Sequence, residues 1–473
     1  MRLTSDYLKN VAMISERLRV KESFDIIERH LDTASGELTL FYIDGFVKDG
    51  EMQRVMQYLL GAKSISGAGQ MVRRLPYMEV EVASDVEKMI CAVLSGQSLM
   101  LAESFADEAV LIDMRTYPAR NTAEPDSDKV MQGSHDGFVE TLVMNTALIR
   151  RRIRDERLTM EHISLGGSSG TDVVISYMSG VADEKTVERV REKLKSAAPA
   201  SLTLGFQSLA ESIIKRGWLN PFPKIRTTER PDTAAAHLVE GSVLVICDTS
   251  PQVMILPTSI FDYLQQTDDY YFPPLTGSYM RIIRTLILLF SAVSTPLWYL
   301  CLYYSEMLPD ALRFLLPDEP GALPILLQLI LVEVAIDGLK IASMNTPDML
   351  SNSLSVVGAL ILGDFAIEVG WLCADVIFYM AFVAIANFAQ QNHELGYAIK
   401  FVRIMTLLLC ALFGIYGFFA GILISVFLVV TNKTLLGNGY LYPLFPFNGR
   451  AFLRLFFRLK KNDFINSSDG KNK

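Results

Sequence analysis

The sequence predicts a duplicated α/β N-terminal cytosolic domain followed by an all-α polytopic membrane domain. Three observations carry that prediction. Apolar residues are spread unevenly over the 473 residues: up to about 275 the pattern is that of soluble α/β structure, whereas from about 280 to 432 the apolar runs are long enough to span a bilayer. Two strand-turn-helix stretches of the first part return later in the same order. The N-terminus, MRLTSDYLKNVAMISERL, is polar and charged, so no cleaved secretory signal is visible and the large N-terminal part is expected on the cytoplasmic side. The organisation that follows is a first α/β subdomain over 1–116, a linker and basic helix over 117–170, and a second α/β subdomain over 171–275. A transmembrane domain over 276–435 and a basic cytosolic tail over 436–473 complete it.

Taken in order, residues 1 to about 35 carry a mixed amphipathic pattern and predict helix. A strand is expected over 38–43, then Asp44-Gly45 and a helix over about 50–60. A further helix over 80–94 ends at Ser95-Gly96, a helix-stop signal, and strands are expected over 98–102 and 109–114. Aligned by eye, TLFYIDGFVKDGEMQRVMQYL from Thr39 matches DVVISYMSGVADEKTVERVREKL from Asp172, with Gly45 opposite Gly180. VEKMICAVLSGQSLMLAESFADEAVLIDM from Val86 matches TAAAHLVEGSVLVICDTSPQVMILP from Thr233, with Gly96 opposite Gly241. The helix between the units carries Arg150, Arg151, Arg152, Arg154 and Arg157. Arg151, Arg152 and Arg154 are candidates for an interface with anionic lipid or an acidic partner, against the alternative of a solvated face interleaved with Asp155 and Glu156. The loop LGGSSGTD precedes a strand and lacks a Gly-Lys-Ser/Thr ending, so it reads as a hinge and not a phosphate cradle.

Catalytic constellations are missing. The five histidines lack metal-ligand spacing with each other or with cysteine, and no GxSxG or Walker motif occurs. Neither an enzyme nor a cofactor site is expected. The formal net charge of −8 argues against a nucleic-acid partner. The five cysteines are scattered without a CxxC pair, as expected of buried thiols in a reducing compartment.

In the apolar half, a first segment over about 282–304 is preceded by Arg281 and Arg284, contains Pro296 and closes with Trp298, Tyr299, Tyr303 and Tyr304. Residues 307–320 suit a helix lying on the membrane surface. The next stretch, GALPILLQLILVEVAIDGLKIASMNTPDMLSNSLS from Gly321, places Glu333, Asp337 and Lys340 on one face of an otherwise apolar helix. Each such charge costs roughly 2.5 to 3.5 kcal/mol at membrane depth, so it usually faces a bundle interior or a water-filled path. Asp364 and Glu368 repeat the device and Asp375 follows, setting one lysine, Lys340, against these five carboxylates in the apolar runs between residues 321 and 389. Either several are protonated by desolvation, or they line water and attract cations. Glu333, Asp337, Lys340, Asp364 and Glu368 are the candidate ion-path residues. The last apolar run, 401–430, spans about 45 Å as one helix, too long for one span and short for two, with Gly414, Gly417 and Gly421 marking a break or close packing. Arg281, Arg284, Lys400, Arg403 and the basic tail would all prefer the cytoplasm, which predicts four full spans plus a half-inserted or hairpin element.

With EPDSDKVMQGSHDGFVETLVMNTALIRRRIRDERL from Glu124, PFPKIRTTERPDTAAAHLVEGSVLVICDTS from Pro221 and NGYLYPLFPF from Asn438, the chain resembles the GerA family of spore germination proteins over nearly its whole length. IDGLKIASMNTPDMLSNSL lacks the Arg-Glu-Ala pattern of receptor A subunits at that place. Gln132, His135 and Thr249-Ser250 also depart from the family pattern. The resemblance implies a multi-pass protein of the spore inner membrane, its N-terminal domain facing the spore core or cytoplasm. It further implies a homo-oligomer, a pentamer by the family pattern, that conducts monovalent cations in germination, with the lipid bilayer and other spore germination membrane proteins as partners. A non-conducting scaffold, or a receptor A subunit assembling receptor complexes, is the alternative. A proton-coupled transporter would want an internal repeat in the membrane half, and none is visible.

Overall fold

Two five-stranded antiparallel sheets of the same strand order organise the first half of the chain. The structure, a computed structural model, describes residues 2–116, 130–131, 133–166, 169–197, 202–214, 219–317, 321–344, 366–390, 392–432, 434 and 440–457. The chain divides into two compact units. One comprises Met1–Arg216, Ile225–Thr258 and Thr434–Asn438; the other comprises Gly217–Lys224, Ser259–Lys433 and Gly439–Lys473.

In the first unit, helix α1 (Tyr7–Leu18) starts at Asp6, whose carboxylate accepts from the Lys9 N–H at 3.2 Å, so an orphan donor of the first turn is satisfied. The hairpin β1 (Ile26–Thr33) and β2 (Gly36–Ile43) follows, then α2 (Asp49–Gly61), α3 (Ala68–Arg74), β3 (Val80–Ala83), α4 (Val86–Leu94), β4 (Ser98–Ala102) and β5 (Ala109–Ile112). The sheet order is β1-β2-β4-β5-β3. Because strand side chains alternate, one face presents Phe41, Ile43, Leu99, Leu101 and Leu111 to α1 and α4. The other presents Leu38, Leu40, Met100, Val110 and Ile112 to α2 and α3.

The second copy runs through α5 (Leu142–Arg152), β6 (Leu158–Leu165), β7 (Thr171–Met178), α6 (Glu184–Ser196), α7 (Phe206–Ile213), β8 (Arg226–Thr228), α8 (Pro231–Val239), β9 (Val243–Cys247) and β10 (Val253–Leu256). Its order, β6-β7-β9-β10-β8, is that of the first sheet. The expected duplication is therefore present element for element. The paired glycines share a backbone role: φ is +78° at Gly45 and +75° at Gly180, +96° at Gly96 and +97° at Gly241, values that glycine adopts without strain. The basic helix, read from sequence as part of a linker, is the counterpart of α1 and opens the second copy.

Three local readings change. Residues 26–33 form a strand and not the end of a helix, because Arg19 turns to φ +56° after α1 and the chain then pairs with β2 across a two-residue turn, Thr33 opposite Gly36. Residues 80–94 split into β3, which pairs with β5, and α4, which starts after Asp85. Leu165 lies opposite Thr171, so the glycine-rich loop read as a hinge joins the two strands of a hairpin; Gly167 and Ser168 lie outside the described residues.

The second unit is helical: α9 (Asp268–Tyr271), α10 (Pro274–Tyr303), α11 (Ile325–Met344), α12 (Ala374–Phe388), α13 (His393–Phe413), α14 (Ile415–Thr431) and α15 (Gly449–Phe456). Among the described residues, α10 and α13 are long and apolar enough to cross a membrane, and α12 and α14 are shorter apolar helices. Leu289, Phe290, Leu412, Phe419 and Leu423 are all more than half exposed, an apolar surface beyond what a water-soluble monomer carries. Pro296 lies within continuous α10. The expected surface helix after it is two short 3-10 turns, Ser305–Met307 and Asp310–Leu315. Most of the stretch that carries Asp364 falls outside the described residues, as does the end of the basic tail.

The run 401–430 resolves its awkward length by starting earlier, at His393, and folding at Gly414, where φ is +57°. A Cβ on Gly417 would strike the Leu409 carbonyl, and one on Gly421 would lie 2.7 Å from the Thr406 side chain. These pairs run in opposite directions along the two helices, so α13 and α14 form a tight antiparallel hairpin, with the GxxxG at its seam.

Candidate functional site in the helical unit

The α11 helix follows Pro324, whose carbonyl accepts from the Gln328 N–H at 3.0 Å. One face of the helix packs inward through Gln328, Leu329 and Glu333, all buried; Leu327, Leu331, Val334 and Ile341 line the other face, each at least 40% exposed. Gln328 is fully satisfied at both ends: its amide donates to the Leu323 carbonyl at 2.7 Å, and its oxygen accepts from the Cys373 N–H at 2.9 Å. Gln328 and Glu333 thus lie inside the protomer, while Asp337 and Lys340 farther along the helix are partly buried.

Opposite Glu333 stands α13, which contributes Lys400 and Arg403, three residues apart on one face. Arg403 Nη2 donates to both Glu333 oxygens, at 2.7 and 2.8 Å, and Nη1 to the Ser291 carbonyl of α10 at 3.3 Å. Lys400 Nζ lies 3.4 Å from Glu333 Oε1 and donates to Asp337 Oδ2. Two carboxylates and two cations therefore form one balanced cluster. Arg403, Glu333 and Lys400 are 1%, 6% and 8% exposed at their side chains, while Asp337 is 34% exposed. Beside Asp337 lies a cavity of about 30 Å³, lined by Lys340, Asn387, His393, Tyr397 and Lys400 among others. Lys340 Nζ sits 5.0 Å over the Tyr397 ring.

The predicted residues are thus distributed as follows. Glu333 and Asp337 meet in one cluster with Lys340 at its edge, Glu368 is exposed on the single turn Ala366–Glu368, and Asp364 lies outside the described residues. The expectation of one lysine against five carboxylates is corrected, because Lys400 and Arg403, assigned on sequence grounds to a cytoplasmic flank, are buried partners of Glu333 and Asp337. Their matching spacing, carboxylates four apart and cations three apart on two apolar helices, was the available signal. Arg281 and Arg284 change in the same way. Both donate to the buried Asp269 at 3.1 Å, Arg284 also to the Leu264 carbonyl at 3.0 Å, and Arg281 stacks 4.7 Å over the Tyr270 ring. Asp269 lies in a segment placed from sequence with the second α/β subdomain; it belongs to the helical unit.

Of the candidate interface arginines, Arg151 and Arg154 are exposed, whereas Arg152 is engaged internally with Asp136 at 2.6 and 2.7 Å. Burial pushes the Asp136 carboxyl up, but hydrogen bonds from Arg152 and Ser134 more than offset this and hold it below the usual carboxylate range. Arg150 is fully buried: it donates to Asp25 at 2.8 and 3.1 Å, to Ser23 Oγ at 3.2 Å and to the Leu158 carbonyl at 3.0 Å, tying the two sheets together. Among the described residues no group of His, Cys, Asp and Glu is placed to hold a metal ion.

The family model described as Bacillus/Clostridium GerA spore germination protein matches residues 12–467. The chain belongs to the GerA family. Among GerA relatives, stage V sporulation protein AF of Bacillus subtilis (strain 168) is 36% identical over 458 residues, covering 96% of this chain and 92% of that protein. Spore germination protein KA of the same organism is 27% identical over 463 residues, 95% of this chain and 84% of that one. The crystal structure of the N-terminal domain of the A subunit of the Bacillus megaterium spore germinant receptor GerK3 aligns with 54% of this GerA chain and 96% of its own, at 23% identity and a TM-score of 0.39. This chain is a spore germination membrane protein of the GerA family. Thr249 holds φ +64°, a conformation that glycine adopts more easily.

Proposed function

We propose that this GerA chain is a subunit of an oligomeric channel that passes monovalent cations across the spore inner membrane during germination, with its N-terminal unit on the core side. The observation that carries the reading is the cluster of Glu333, Asp337, Lys400 and Arg403 among apolar helices, with one carboxylate, Asp337, open to a small cavity. Four charges at that depth are retained at a cost, and an ion path is the use that rewards them. Within the cluster the roles divide. Glu333, closed in by Arg403, holds α11 against α13; Asp337 and Lys340 face the cavity, and Asp364 and Glu368 stay candidates beyond it. Other germination membrane proteins, the lipid bilayer and further copies of the chain, five by the family pattern, are the proposed partners, with Arg151 and Arg154 as candidate interface groups.

One observation favours a second reading, a non-conducting scaffold: Glu333 spends its charge inside its own protomer. Potassium flux from proteoliposomes holding the full chain separates the two. Asp337→Asn is expected to lower cation flux at least about tenfold, the effect of about 1.4 kcal/mol on an ion's residence. If the wild-type chain passes no cation under any gating condition, the scaffold reading takes its place.

A further inference from the structure

Arg403 pairs with Glu333 through one nitrogen that donates to both oxygens, while a second is fixed to Ser291. Lys400 is then the remaining cation, and its ammonium sits on Asp337 with Glu333 only 3.4 Å away as an alternative seat. We propose that Asp337 is the carboxylate of a monovalent-cation site and that the Lys400 ammonium is a tethered competitor occupying that site in this conformation. The inference deepens the proposed conducting role and rests on it.

The chemistry distinguishes the two cations of the cluster. A guanidinium held at three points is a fixed strut, whereas an ammonium on a four-carbon stem is a mobile point charge of the same valence as a monovalent cation. Asp337 is the most exposed of the four side chains, and the adjoining cavity of about 30 Å³ has room for a water or a small ion. Swinging Lys400 onto Glu333 would free Asp337 while keeping the ammonium paired, because Glu333 already lies within ion-pair distance of both cations. A cation entering beside Asp337 then takes the ammonium's place on that carboxylate. With Lys400 still in the cluster that makes three cations against two carboxylates, which favours the ammonium over an entering ion; without Lys400 an entering cation restores two against two and spares Asp337 a bare charge.

The test uses the purified full-length chain in detergent. Thermal unfolding is followed while KCl replaces N-methyl-D-glucamine chloride at constant ionic strength. The wild type is expected to be unresponsive, Lys400→Met to gain about 2 to 4 °C in Tm with saturating potassium, and Lys400→Met combined with Asp337→Asn to lose that gain. An unresponsive Lys400→Met that still unfolds cooperatively overturns the proposal, as does a gain that survives loss of Asp337. Should Lys400→Met fail to fold, Lys400→Gln keeps a polar group in place and faces the same criterion. Flux measured in parallel separates the two claims. A potassium-responsive variant without flux retains the cation site and removes the channel, whereas a conducting chain without the response removes only the site.

Discussion

At the scale of single residues, the Glu333–Arg403 pair decides how α11 is read. Removing one member of a buried pair strands the other charge and typically costs about 3 to 5 kcal/mol, while exchanging both for apolar groups of similar size is often neutral. Glu333→Gln is therefore expected to lower the detergent-solubilised chain's stability by roughly that amount, and Glu333→Leu with Arg403→Met to recover most of it. Chemical denaturation of the two variants measures this; equal loss in both would mean that the pair does not lock the helices. The one-sided stripe of Glu333, Asp337 and Lys340 was legible from the helical period alone. Its partners were not, because Lys400 and Arg403 lie 63 and 70 residues beyond the acids they meet. Local patterning shows that a buried charge needs a counter-charge, not which distant helix supplies it. Counting charges within one apolar region therefore overstated its acidity.

At the scale of elements, the α13–α14 hairpin depends on the absence of side chains at two places. The Gly417 backbone abuts the Leu409 carbonyl, and Gly421 abuts Thr406. Gly417→Leu is expected to push the helices apart and to cost on the order of 3 kcal/mol, at the upper end for overpacking because backbone cannot rearrange as a side chain does. Gly338→Ala, in open space inside α11, is the control and should be tolerated, with a gain of about 0.5 to 1 kcal/mol from helix propensity. Tm values of both variants decide it, and a tolerated Gly417→Leu would remove the close seam. Sequence reading anticipated a break or close packing at these glycines, and both occur. It missed where α13 begins, since the polar start His393-Glu394 looks like loop until Asn392 is seen accepting from the Leu395 N–H at 2.8 Å. Strand β1 was missed for a related reason: its period is weak, with Ile26 and Leu31 alone buried along eight residues, and the hairpin with β2 sets its conformation.

At the scale of the whole molecule, the duplication was legible because helices and strands of both copies keep the same order and the paired turns need glycine. The place of α5 was not, since its apolar residues face two directions at once. Leu148 and Ile149 pack into the second sheet, whereas Ala147 belongs to the core of the first. Val143 and Ala147 also close over Gly45, where a Cβ would meet them at 3.0 and 3.2 Å. From the same helix Arg150 reaches Asp25 and Ser23 on the first copy. Arg150→Met, which leaves Asp25 buried and unpaired, is expected to split unfolding of this unit into two steps; a single cooperative transition in calorimetry would argue against α5 as the bond between the sheets. A helix seated in both repeats also bears on whether either copy can stand alone. With α5 leaning on its sibling, neither half can be excised, swapped or shed without baring the other's flank, and the two copies behave as one part.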